Sequence, residues 1–288
     1  MNVARCALFI GIVVSLDIVE PQLIVAWVHA VFGYSLAPFR EYALFAYLFA
    51  FCLLLVNVLI ATWVVARIEQ HSIFSYGFGL VTNAKRLYAE GLGIGALVGG
   101  ILVGALIASK SIWIERASDM HGVNWLWVIV WAAIAIVMAI AEEAFVRGYV
   151  IYSLSRVIGF WPSALASTVL FLAVNRDGLQ NPLDVLNLTG LGLLACFALL
   201  KTGSLWLAAG FHAVFDFVQY FVASNFSDWN LPHGRLFDIV ALGPNWITGG
   251  QSGIEASIFV WPVAAALFVY VSRRFPQTSS TFTRPQIS

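Results

Sequence analysis

Apolar runs of bilayer length recur along this chain, and they leave few folds open to it. Residues 42–66, 91–109, 123–141, 185–200, 204–223 and 254–271 each come close to the ~20 residues a helix needs to cross a hydrocarbon core. Two weaker segments join them. Residues 6–33 are interrupted by Asp17, Glu20 and Pro21, and residues 161–174 are short but open with Trp161-Pro162, a good helix start. Together they predict about eight helices. Backbone in lipid must satisfy its own polar groups, so only helices and closed barrels span a membrane. The runs are continuous and do not alternate, which excludes a barrel. Composition agrees: 61% of residues are hydrophobic and 10% charged, against roughly 45–50% and about 25% in soluble domains. The expected fold is all-α, a polytopic transmembrane helical bundle.

The chain reads as one membrane domain. Residues 1–90 supply N-terminal transmembrane helices and a linker, 91–273 the core, and 274–288 a polar tail. No small-x-small cleavage pattern precedes Asp17, so the first segment is expected to be retained as a helix. Fifteen basic and fifteen acidic residues cancel, which gives no reason to expect a nucleic-acid partner; the expected partner is the lipid bilayer. Cys6, Cys52 and Cys196 lack metal-type spacing and read as small core residues. Trp residues near helix ends read as interface anchors, and residues 224–253 as a long outer loop able to lid a cavity. With both termini cytoplasmic, Arg5, Arg67, Lys85, Arg86, Arg156, Lys201, Arg273, Arg274 and Arg284 lie inside. Arg40, Lys110, Arg116, Arg176 and Arg235 lie outside, and this bias favours that orientation. The expectation is a multi-pass protein of a bacterial cytoplasmic membrane.

Charge inside these segments is the second signal. The string Ala141-Glu142-Glu143-Ala144-Phe145-Val146-Arg147-Gly148 ends an uncharged run, and His212-Ala213-Val214-Phe215-Asp216 lies in another. Ionisable groups at membrane depth are costly and mark function by default. On a helix Glu143 and Arg147 are i and i+4 and can pair on one face. Glu142 is turned about 100° away, free to face a cavity as a general base. The competing reading puts both glutamates at a helix end with Arg147 snorkelling. His212 and Asp216 also share a face. They can ligate a metal, orient one another or stabilise an oxyanion, or simply pack as a satisfied buried pair. Gly210 lets a neighbouring helix approach closely. Counted from the predicted cytoplasmic helix ends, Glu142, Asn175 and His212 lie at similar depth.

These strings resemble the CPBP family of intramembrane proteases, which includes the type II CaaX prenyl endopeptidases and bacteriocin-immunity proteins. Glu142, Glu143 and Arg147 match its E-E-x-x-x-R motif. His212 and Asp216 match its H-x-x-x-N motif, with Asp at the variable last position. Two further stretches look like the family's: Lys201-Thr202-Gly203-Ser204-Leu205-Trp206, and residues 242–257. The resemblance covers about residues 91–271. Its F-x-x-x-H motif departs: Phe171 is followed by Asn175 where the family has His. Asn does not titrate near neutral pH and is a poor zinc ligand.

The resemblance implies an intramembrane endopeptidase acting on a membrane-associated peptide or protein, with the expected site Glu142, Glu143, Arg147, Asn175, His212 and Asp216. Glu142 would activate water, alone or on a divalent metal such as zinc held with His212 and Asp216. Asn175 would orient the water or the scissile carbonyl. A prenylated substrate is implied for one branch only, and no residue here is specific to that branch. The alternative is a catalytically inactive member, with Asn175 in place of the motif His, that binds a membrane peptide or partner protein. A transporter ranks last, because the sequence has no inverted repeat or paired broken helices.

Overall fold

A computed structural model describes residues 2–32, 43–79, 83–116, 125–176, 179, 181–222, 236–279 and 282. His121, His233, Trp229, part of the expected outer loop and most of the polar tail lie outside the described residues. The helices are α1 (Asn2–Phe32), α2 (Ala43–Glu69), α3 (Ala84–Ala108), α4 (Trp125–Glu143), α5 (Tyr149–Ile158), α6 (Phe160–Val174), α7 (Pro182–Thr202), α8 (Trp206–Asp216), α9 (Asn245–Thr248) and α10 (Val260–Arg274). α4 and α5 form one rod through a π-helical turn, Ala144–Gly148, and α8 continues into a second, Phe217–Val222. The all-α expectation holds, and the long rods follow the predicted apolar runs. Five stretches are long and apolar enough to cross a membrane: Asn2–Leu23, Leu44–Glu69, Ala84–Ala108, Trp125–Ile158 and Pro182–Thr202. The protein is an integral membrane protein. Leu97, Phe49, Ile129 and Val169 are exposed on its outside, as a lipid-facing surface requires.

Local sequence explains several boundaries. α7 opens with Pro182 behind a capping box, in which Asn181 accepts from the Leu183 and Asp184 amides and Asp184 accepts from the Asn181 amide. It closes on Gly203 at φ +67°, a left-handed conformation that a Cβ disfavours. α1 runs through Pro21, and Glu20 accepts a hydrogen bond from Asn57 of α2 at 3.1 Å, so two polar groups satisfy each other between helices.

α3 and α8 pack with unusually close backbones. A Cβ on Gly91 would stand 2.3 Å from the Leu207 carbonyl oxygen, and one on Gly95 2.5 Å from that of Phe211. From the other side, a Cβ on Gly210 would stand 2.3 Å from the Tyr88 carbonyl oxygen. Small residues at such interfaces let helices approach to van der Waals contact of their main chains. This is the close approach expected at Gly210, and it fixes the helix that carries His212 and Asp216.

Several expectations need adjustment. Residues 224–253 are more than a loop. β2 (Phe237–Ala241) pairs antiparallel with β1 (Ile112–Arg116), Ile112 opposite Ala241 and Arg116 opposite Phe237. α9 and short 3₁₀ turns follow. The last helix begins at Val260, because residues 254–256 form one of those turns. α3 begins at Ala84 and so absorbs Lys85 and Arg86. All three cysteines are free; Cys6 and Cys196 are buried, whereas Cys52 lies exposed on α2 and is no core residue.

Polar contacts gather one end of the bundle. Glu69, at the end of α2, accepts from Arg5 of α1 at 3.4 Å, Arg156 of α5 at 3.3 Å, Tyr149 at 2.7 Å and Tyr76 at 3.1 Å. Burial and the Glu69 carboxylate hold the Tyr76 phenol well above its ordinary pKa, so it stays a donor. Glu90 of α3 accepts from Arg274 at 3.0 Å and Tyr270 at 2.6 Å. The Leu205 amide, ahead of α8, donates to Gly77 at 2.9 Å.

Candidate active site

The α4–α5 rod and α8 cross where each is most polar. Glu143 and Arg147 pair across one turn, both buried, as the i, i+4 spacing predicts. On α8 the imidazole of His212 lies among three carboxylates. Its Nδ1 is 3.2 Å from Glu143 Oε1. Its Nε2 is 3.1 Å from Asp216 Oδ2 and 3.8 Å from Glu142 Oε2. The two strings read separately from the sequence therefore form one cluster.

The two glutamates differ in their contacts, although Glu143, and not Glu142 as expected, lines the cavity beside them. Glu143 is engaged by Arg147 and His212, and its side chain is 2% exposed; that of Glu142 is 12% exposed, with His212 3.8 Å away. Glu143 thus holds the cluster together, while Glu142 keeps acceptor capacity for a further molecule. Glu143 Oε2 and Arg147 Nε have no protein partner.

The π-helical turn places these groups. A π turn widens the ladder and leaves carbonyls to be satisfied from outside, and such turns recur at functional sites. Here the Ser167 hydroxyl of α6 donates to the Val146 carbonyl at 2.7 Å. Directly after Asp216, α8 becomes π-helical as well, so both rods are unwound beside the cluster.

A cavity of about 100 Å³ opens on the cluster, lined by Glu143, Arg147, His212 and Asp216 together with Phe171, Gly192 and Glu255. A water needs roughly 10–15 Å³ by this measure, so several fit. The rest of its wall is mainly apolar, with Leu188, Leu191, Phe211 and Phe215.

α6 contributes Phe171 to the site. The Arg147 guanidinium lies over its ring, 5.0 Å from the centroid, and the His212 ring meets it edge-on at 6.4 Å. Asn175, one turn on, caps α6 and donates to the Phe171 carbonyl at 3.1 Å. It does not line the cavity. Sequence reading did not single out Phe171, Gly192 or Glu255 as site residues. Phe171 had a signal, since it opens the departing motif. Glu255 had one too, as an acidic residue beside an apolar run.

Among the described residues, no three His, Cys, Asp or Glu side chains are grouped as ligands for a metal ion. Glu142, His212 and Asp216 meet through ion-pair and hydrogen-bond geometry, with the imidazole already engaged at both nitrogens.

Buried carboxylates, an imidazole and a guanidinium thus gather beside a cavity with room for water, inside a helical membrane bundle. One known family model matches this part of the chain. Residues 124–218 match the family described as type II CAAX prenyl endopeptidase Rce1-like. That stretch holds α4 to α8, including all six expected site residues, and the match is consistent with a CPBP-family membrane protease. No curated protein and no solved structure matches the chain.

Proposed function

We propose that the protein is an intramembrane endopeptidase that hydrolyses a peptide bond of a membrane-associated peptide or protein. One observation carries the reading. Glu143, Arg147, His212 and Asp216, from two separate rods, line a cavity that has room for water, and Glu142 stands beside them, 3.8 Å from His212. Lipid excludes water, so hydrolysis at membrane depth needs such a protein-lined cavity.

In this reading Glu142 is the general base. It takes a proton from water as the water oxygen attacks the scissile carbonyl. Arg147 neutralises Glu143, and Glu142 stands 3.8 Å from His212. His212, held at its two nitrogens by Glu143 and Asp216, lies beside the developing oxyanion and stabilises it through its charge rather than through a free N–H. The matched family's name makes a prenylated C-terminal peptide the first substrate to try. Both termini face the cytoplasm in this reading, which puts the Glu69 and Glu90 clusters on the cytoplasmic side.

Asn175 favours a second reading, a member of the same fold that binds a peptide or partner without cutting it. No second imidazole comes from α6, and Asn175 spends its amide on its own helix. The test is cleavage by the purified chain in liposomes, compared with Glu142→Ala and Asn175→His. Cleavage lost in Glu142→Ala supports the peptidase. Cleavage seen only in Asn175→His supports the binding reading.

A further inference from the structure

Glu255 is an ionisable group at the cavity for which the scheme above has no use. It sits in the 3₁₀ turn Ile254–Ala256, ahead of α10. Non-helical backbone at membrane depth survives only where protein or a water-filled cavity satisfies it, and this turn is satisfied with care. Asn187 of α7 donates to the Glu255 carbonyl at 2.9 Å and to the Ser257 carbonyl at 3.0 Å. The Glu255 amide donates to Gln219 Oε1 at 3.3 Å. Gly249 and Gly253, at φ +89° and +90°, pack so closely that a Cβ on Gly249 would stand 1.8 Å from the Gly253 carbonyl oxygen.

Three elements thus fix one turn, and the side chain it delivers is a carboxyl lining the cavity with His212 and Asp216. Its carboxyl lies within electrostatic reach of Asp216, His212 and Glu142. Keeping another carboxyl beside three others is costly unless it acts.

We propose that Glu255 is the second carboxyl of the reaction, the general acid that protonates the leaving amine. The proposal rests on the peptidase reading. Glu142 takes one proton from water, the water oxygen bonds to the carbonyl carbon, and the carbonyl electron pair moves to oxygen. When the tetrahedral intermediate collapses, the C–N bond breaks. Its electron pair stays on nitrogen, which receives the proton of the Glu255 carboxyl. The proton held by Glu142 is released to water, and Glu255 takes a proton back from water, which restores both groups. One water is consumed and nothing is oxidised or reduced.

The experiment uses the full chain in liposomes with two probes, a cleavable membrane peptide and the same peptide with an activated ester in place of the scissile amide. An ester leaving group of low basicity departs without a proton. Glu255→Gln keeps the side chain's size and every backbone bond of the turn, and an unchanged melting temperature confirms the fold. The expected result is a loss of amide cleavage of about 10²–10⁴-fold, with ester cleavage within a few-fold of the natural chain. Glu142→Gln loses both. Equal loss of amide and ester cleavage in Glu255→Gln makes Glu255 structural and overturns the proposal. Amide cleavage that depends on Glu142 but not on Glu255 also overturns it and leaves the peptidase reading standing. Absence of Glu142-dependent cleavage of either probe removes the reading and the proposal together.

Discussion

Glu142 and Glu143 are adjacent in sequence, yet their surroundings separate them. Glu143 is closed in by Arg147 and His212; Glu142 is not. Removing one partner of a buried ion pair leaves the other charge uncompensated, at about 3–5 kcal/mol. Arg147→Met is therefore expected to lower stability by that order, read from thermal unfolding in detergent, and Glu143→Gln added to it should restore part of the loss. A double variant no more stable than Arg147→Met would contradict the pairing. The cluster does not group three ligands for a metal ion, so chelator treatment is expected to leave cleavage unchanged. Loss on chelation that zinc reverses would require another geometry. At this scale the sequence was informative wherever helical spacing governs, as for the Glu143–Arg147 and His212–Asp216 pairs. It could not show that Asn175 turns onto its own helix, because a C-cap side chain chooses between its own carbonyl and a distant cavity only in three dimensions. It also could not show Glu255 at the cavity, since a tertiary turn held by Asn187 and Gln219 puts it there.

Among the elements, α3 and α8 govern the site's rigidity, because their glycines bring the backbones together. Gly95→Ala puts a methyl 2.5 Å from the Phe211 carbonyl oxygen, and overpacking of that kind costs typically about 1–3 kcal/mol. Lower thermal stability and reduced activity are expected together, while Gly93→Ala, which meets nothing within 4 Å, should leave both unchanged. Equal behaviour of the two variants would show that the glycine contact does not position α8. Gly210 announced this contact in the sequence. Gly91 and Gly95 were hidden among six glycines between residues 91 and 104, because spacing alone does not say which face meets a helix. The π turns were invisible for a similar reason: the residues of Ala144–Gly148 are ordinary helix formers apart from Gly148, and neighbours such as Ser167 complete the widened ladder.

Across the whole molecule, hydropathy laid out the long rods because bilayer length is a one-dimensional property. The β1–β2 pair escaped because two five-residue strands, over a hundred residues apart, carry no such signature. Basic residues assigned to one side do cluster: Arg5 and Arg156 share Glu69, and Arg274 meets Glu90. Single cysteines placed at Lys201 and Lys110 in a cysteine-free background are expected to react with an impermeant maleimide from opposite faces, Lys201 from the cytoplasmic one. Labelling of both from one face would overturn the orientation. The central claim is that this bundle brings water to a peptide bond through Glu142. The most direct measurement is mass spectrometry of peptides incubated with the liposome-embedded chain in heavy-oxygen water. New C-terminal carboxylates carrying one heavy oxygen are expected, made by the natural chain and not by Glu142→Ala. Products that form equally with Glu142→Ala, or that carry no heavy oxygen, would contradict it.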